Sequence, residues 1–194
     1  MATINSVVIP EATFVDGGGL YDGWKGGNRS KWHSEKELKA CLLEDFKKAG
    51  IKASVRFNRA GWLTSITVTM KIRADEILSY DEFKKNYHLK TYGWIDYYDP
   101  DTGRWEHIYN DCAYALDKND PTHEKICRSD YDLRVKSLTD RTYHRSDVDV
   151  LNKEANARFD LLLKIVESYN KDCSNGMIDY FDRDIYDSYA FKIA

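Results

Sequence analysis

Between Ser34 and Arg73 the spacing of apolar residues changes from helical to alternating. Leu38, Cys41, Leu42, Phe46 and Ala49 recur every three or four positions and predict one face of an α-helix. Ser34 with Glu37 three residues later is a capping box at its start, and Gly50 suits the left-handed turn that ends it. From Lys52 to Asn58 the period is two, with Ala53, Val55 and Phe57 on one side and Lys52, Ser54, Arg56 and Asn58 on the other. Leu63 to Arg73 alternates in the same way: Ile66, Val68, Met70 and Ile72 face inward, while Ser65, Thr67, Thr69, Lys71 and Arg73 face outward. These two strands predict a hairpin closed by Arg59-Ala60-Gly61-Trp62, with Ala53 opposite Val68 and Val55 opposite Ile66. Lys52, Lys71 and Arg73 then gather at the far end of a water-facing strip that also carries Arg56 and a row of hydroxyls.

Further along, Ser79 and Glu82 form a second capping box before a short helix over Tyr80–His88, where Tyr80, Phe83 and Tyr87 share a side. A second hairpin is predicted from Trp94–Tyr98 and Arg104–Tyr109, joined by Asp99-Pro100-Asp101-Thr102-Gly103. Residues 110–146 are polar, with a strand expected around Asp132–Leu138. The longest helix is expected to begin near Ser146 or Asp147 and to carry the stripe Leu151, Ala155, Phe159, Leu162, Val166 and Tyr169, with Asn175-Gly176 at its exit. Ile185, Asp187, Tyr189, Phe191 and Ile193 alternate as a final strand. At the other end, Ile4–Ile9 is a short strand candidate followed by glycine-rich stretches, so residues 1–33 read as a mobile Gly/aromatic arm and residues 34–194 as a single α+β domain of antiparallel hairpins packed on a few helices. The glycines match neither GxxxxGK[ST] nor GxGxxG.

Charge adds one contrast. The net charge of −3 argues against a protein devoted to coating nucleic acid, yet residues 31–90 hold thirteen Lys/Arg against eight Asp/Glu, and residues 91–120 hold two against seven. A local nucleic-acid contact is compatible with the basic block, as is an ordinary solvated surface. Tyr, at 14 residues, with 5 Trp, is abundant for a chain of this length, and these side chains serve both core rims and binding surfaces. The four cysteines, Cys41, Cys112, Cys127 and Cys173, have no CxxC spacing and suggest a reducing, cytoplasmic setting. No basic-then-apolar leader and no long apolar run is present, so no membrane association is expected.

The helix leading into "GIKASVRF", a glycine-containing turn and "LTSITVTMKI" resembles the large polyvalent protein-associated domain twenty-nine family, whose members read "KFSVRS" and then a "GGS-I-VSW" pattern after a helix. "YYDPDTG" and "SYNKDCSNGMIDYFDRDIY" resemble the C-terminal half of small gut-bacterial relatives. The similarity covers roughly residues 35–110 and 160–186, and "RFNRAGWLTS" departs from the Ser/Gly-rich turn common in the family. The resemblance implies a phage, plasmid or integrative-element context, often beside antirestriction functions, in which small inhibitors of host defence such as anti-CRISPR proteins occur. It implies no catalytic residue.

Candidate chemistry is sparse. His107, Cys112, His123 and Cys127 are the nearest approach to a zinc set but lack the usual short loops. Asp179, Asp182 and Asp184, and secondly Asp96, Asp99 and Asp101, are the carboxylate groups a metal-dependent nuclease would need, and both also fit turn chemistry. No nucleophile elbow or papain-like signature is found. The expectation is therefore a non-enzymatic counter-defence protein without cofactor, acting in the cytoplasm of a bacterial host on a CRISPR effector nuclease or another defence complex. Its acidic hairpin, Asp96, Tyr97, Tyr98, Asp99, Asp101 and Glu106, would meet an Arg/Lys-rich groove. One alternative is a nucleic-acid-binding accessory protein using Lys52, Arg56, Arg59, Lys71 and Arg73 with Trp62 stacking on bases; the other is a metal-dependent nuclease.

Overall fold

Ser34 and Gly50 bracket the first long helix, α1 (Glu35–Lys48), in the computed structural model. The structure describes residues 7–15, 23–60, 63–88, 93–110, 120–139, 150–172 and 184–194. They fall into two compact units, one formed by Met1–Ile72 with Lys153–Ala194, the other by Arg73–Asn152. The architecture is α+β, with several helices packed against short antiparallel and mixed sheets.

In the first unit the Ser34 hydroxyl accepts the Glu37 N–H at 3.3 Å, while the Glu37 carboxylate reaches back to the N–H of His33, one residue beyond the cap. Gly50 takes φ +70, which ends the helix where a side chain would be strained. Strands β3 (Ala53–Ala60) and β4 (Leu63–Ile72) form the predicted antiparallel pair. Their faces are as expected, but the register is two residues further along: Ala53 opposes Met70, Val55 opposes Val68 and Phe57 opposes Ile66. A slip of two leaves every side chain on its own face, so hydrophobic alternation cannot detect it. What decides it is the pairing of Ala60 with Leu63, which extends the ladder into the expected four-residue loop.

The third strand of this sheet is β8 (Tyr186–Ile193), and it runs parallel to β4 rather than forming a hairpin. Val55, Ile66, Val68, Met70, Ile72 and Phe191 on the inner face are buried. So are Leu38, Leu42 and Phe46 of α1 and Ala155, Phe159, Leu162 and Val166 of α4 (Lys153–Ser168), the two helices being in contact. The expected stripe is therefore the core stripe, but the helix starts at Lys153. Leu151 is instead bridged to Ile77, and the flanking bonds from Leu78 N–H to Val150 O and Asn152 N–H to Glu76 O are both 2.8 Å.

The described part of the N-terminal segment is built into this unit and is not a free arm. Strands β1 (Thr13–Val15), β2 (Gly23–Lys25) and β7 (Lys171–Asp172) form a small sheet in the order β1-β2-β7. Gly26 N–H and Asn28 N–H donate to Asn170 O and Ser168 O, each at 2.8 Å. A Cβ on Gly26 would lie 2.2 Å from the Ser168 carbonyl oxygen, so glycine there permits close backbone approach. Val7–Ile9 is not a strand, and the rest of the Ile4–Ile9 candidate lies outside the described residues, as does Asn175-Gly176.

In the second unit α2 (Tyr80–Asn86) carries the predicted capping box, with Ser79 and Glu82 bonded reciprocally. Strands β5 (Gly93–Asp99) and β6 (Arg104–Asn110) form the second hairpin, and Gly103 closes its turn at φ +67 with its N–H on Asp99 O. The strand expected at Asp132–Leu138 is not formed: Pro121–Thr139 is a 19-residue helix, α3, the longest of the described elements. Asp120 caps it by accepting the Thr122 N–H at 2.7 Å, and Pro121 occupies the first turn where no N–H is needed. Its buried side, His123, Ile126, Cys127 and Leu138, has helical spacing, but its mixture of polar and apolar types hides the stripe from a hydropathy reading.

Candidate functional site

The outer face of β3-β4-β8 is a ladder of polar rows. Lys71 donates its backbone N–H to Lys52 O at 2.8 Å and is paired with Lys192, so three lysines stand side by side across the sheet, all exposed. At a strand spacing of about 4.8 Å the row spans about 10 Å. The next rows are Ser54, Thr69 and Ala190, then Arg56, Thr67 and Ser188, then Asn58, Ser65 and Tyr186. Thr67 Oγ1 lies 2.9 Å from Ser188 Oγ and accepts from Asn58 Nδ2 at 2.8 Å, which fixes a floor of short polar side chains. Arg56 is exposed. Among the described residues, Lys52, Arg56, Lys71 and Lys192 form no ion pair.

Two of the residues assigned to this face from sequence, Arg59 and Arg73, are placed differently. Arg59 is a strand residue opposite Thr64 rather than part of a loop. Trp62 lies outside the described residues. Arg73 belongs to the second unit, where its guanidinium is held by Asp75 at 2.9 Å and Glu76 at 3.0 Å, so it adds no free cation. Lys192 was missed because its strand was recognised but its partner strand was not.

The β5–β6 hairpin has two unlike faces. Tyr97 and Asp99 are buried on the inner one, where α3 packs and Ser129 Oγ accepts the Tyr98 N–H at 2.8 Å. Lys125 of α3 reaches the turn and bridges Asp99 at 2.9 Å and Asp101 at 2.7 Å. Two of the expected carboxylates are thus neutralised within the unit, and Glu106 is half-buried with Thr102 as a hydrogen-bond donor at 3.4 Å. The outer face carries Asp96 and Tyr98 as expected. Around them stand Trp94, Trp105, His107 and Tyr109. Trp94 is 61% exposed, Trp105 57%, and Tyr98 and Tyr109 44% each, a concentration of water-facing rings on one face. The rings brace one another edge to face, Trp94 on Tyr109 at 5.2 Å, Trp94 on His107 at 5.3 Å and Tyr98 on Trp105 at 6.1 Å. The sequence signal was available: Trp94, Asp96 and Tyr98 alternate, as do Trp105, His107 and Tyr109.

The Lys125 ammonium, followed by the backbone N–H of Asp101, holds the Asp99 carboxyl below its ordinary value. A carboxyl depressed by folding contributes stability above the unfolded value of about 3.9 and loses it as the pH falls through the folded value. Asp99→Asn is therefore expected to lower the thermal midpoint at pH 7, and the gap from wild type should narrow as the pH falls below the unfolded value of about 3.9. Melting curves across that range check this; a gap independent of pH would assign the loss to something other than charge.

Among the described residues no group of three or more His, Cys, Asp or Glu side chains is arranged to hold a metal ion. His107 is exposed on the hairpin, and His123 and Cys127 are buried on α3, while Cys112, Asp179 and Asp182 lie outside the described residues. Asp184 is engaged by Arg29. No helix of the described residues is long and apolar enough to cross a membrane. Comparison with protein-family models, with curated proteins and with solved structures finds no match for this chain.

Proposed function

We propose that this protein acts by binding, as a phage or mobile-element counter-defence protein whose β5–β6 hairpin docks on a host CRISPR effector nuclease. The observation that carries the proposal is the outer hairpin face, with rings from Trp94, Tyr98, Trp105 and Tyr109 exposed around the carboxylate of Asp96. Trp and Tyr dominate the energetics of protein interfaces, because they bury much area at little entropic cost. Rings flanking a carboxylate suit an arginine in particular: the guanidinium stacks on a ring and its edge bonds the carboxylate. The grooves in which nucleases hold nucleic acid are lined with such cations. Occupying one excludes the substrate without any chemistry by the inhibitor. The phage or mobile-element context rests on the motif resemblance over roughly residues 35–110 and 160–186.

The test is to mix the purified protein with CRISPR effector nucleases and to follow both complex formation and target cleavage. Trp94→Ala combined with Trp105→Ala should weaken binding about 30-fold or more, the scale of an interface hot spot of about 2 kcal/mol. Both side chains face water, so the variant should keep its circular dichroism spectrum. A protein that neither binds nor slows any effector tried is not an inhibitor of those targets.

A further inference from the structure

We infer that the outer face of the β3-β4-β8 sheet is a second binding site, distinct from the hairpin face, and that it holds the phosphate backbone of a single nucleic-acid strand. Three observations lead there. The first is the row Lys52, Lys71 and Lys192, like charges set directly side by side across three strands. Such neighbours repel and weaken a sheet, and among the described residues none of the three has a counter-ion. An arrangement that costs stability in the free protein is relieved when a polyanion supplies the missing charge.

The second observation is the floor beside the row. Ser54, Thr69, Thr67 and Ser188 are short polar side chains, with Ala190 buried among them, so among the described residues of these rows no long side chain stands between the lysines and Arg56. Hydroxyls contact phosphate and sugar without reading bases. The long basic side chains thus border a flat, hydrogen-bonding strip on which an extended backbone can lie. The third is Tyr186, half-buried on the same face in the row of Asn58 and Ser65. A tyrosine ring on a sheet stacks with an unpaired base, which a duplex does not offer. Of the base-reading types on this face, Arg56 is fixed by no ion pair among the described residues and the Asn58 amide nitrogen is already engaged by Thr67 Oγ1 at 2.8 Å, so neither presents a free donor and acceptor pair in a fixed geometry and binding should depend little on sequence.

The experiment is fluorescence anisotropy with a labelled 15-mer of deoxythymidine at about 50 mM salt, using the full chain. The triple variant Lys52→Ala, Lys71→Ala, Lys192→Ala should bind at least tenfold more weakly. The slope of log K against log salt should flatten by about 2, near 0.7 for each phosphate that is no longer neutralised. The variant relieves repulsion, so its thermal midpoint should not fall. A companion variant with arginine at the three positions should retain binding. The result that overturns the proposal is an oligonucleotide affinity that the triple alanine variant leaves unchanged, or the absence of binding at low salt. Equal or tighter binding of a matching duplex, or of heparin, would overturn the single-strand assignment. The Trp94→Ala, Trp105→Ala variant should bind the oligonucleotide normally, which separates failure of this site from failure of the hairpin interface.

Discussion

Phe159→Ala is expected to destabilise the protein by about 3–5 kcal/mol, the usual cost of emptying a buried phenylalanine site. Phe159 is 2% exposed, and its ring lies 5.1 Å from that of Phe191 and 5.6 Å, edge on, from that of Tyr189. It therefore couples α4 to β8, the strand that completes the central sheet. Alanine removes the transferred area and leaves a cavity between α4 and a strand that is hydrogen-bonded along its length to β4, so collapse around the gap is limited. Phe159→Leu should recover more than half of the loss. Urea unfolding followed by far-ultraviolet circular dichroism measures both. A loss below about 1 kcal/mol for the alanine variant would mean that β8 is not anchored through this ring.

Trp32→Ala should cost a similar amount, about 3–5 kcal/mol. The indole is 6% exposed, its Nε1–H donates to the Tyr169 carbonyl at 2.9 Å, and the Arg29 guanidinium stacks 4.2 Å from its ring. Arg29 in turn pairs with Asp184, just ahead of β8. One side chain thus ties the N-terminal segment to the end of α4. Trp32→Phe keeps most of the apolar volume but strands a buried carbonyl, which should cost about 1–3 kcal/mol. The graded pair separates packing from hydrogen bonding. Equal losses in the two variants would show that the indole N–H, and not the ring, dominates.

What could be read from the sequence follows a physical line. α1, β3 and β4 were legible because caps and period are local, and because inward residues such as Val55, Ile66 and Val68 are unambiguously apolar. The register was not, since a shift of two preserves every face and only the turn distinguishes the alternatives. α3 was misread because its buried side uses His123 and Cys127, and because side chains such as Arg134, held by Asp130, are carried on its flank. The parallel pairing of β4 with β8 joins Ser65 to Tyr186, a separation no local pattern records. That is also why Lys192 was absent from the basic face. On the hairpin the residues were identified, but charge drew attention to Asp99 and Asp101, which Lys125 already neutralises. Exposure, and with it the prominence of Trp94 and Trp105, depends on where α3 packs.

The same remote pairing shapes the life of the chain on the ribosome. β4 can zip to β3 as soon as both are synthesised, but its other edge waits for β8. At about 5–20 residues per second that wait lasts roughly 10 s. Throughout it, Ile66, Val68, Met70 and Ile72 back an open ladder of backbone donors and acceptors, the template on which nascent chains join one another. Lys52 and Lys71 sit at one end of that ribbon as charged gatekeepers. Nascent polypeptides stalled short of Tyr186 should accordingly be the species that chaperones capture.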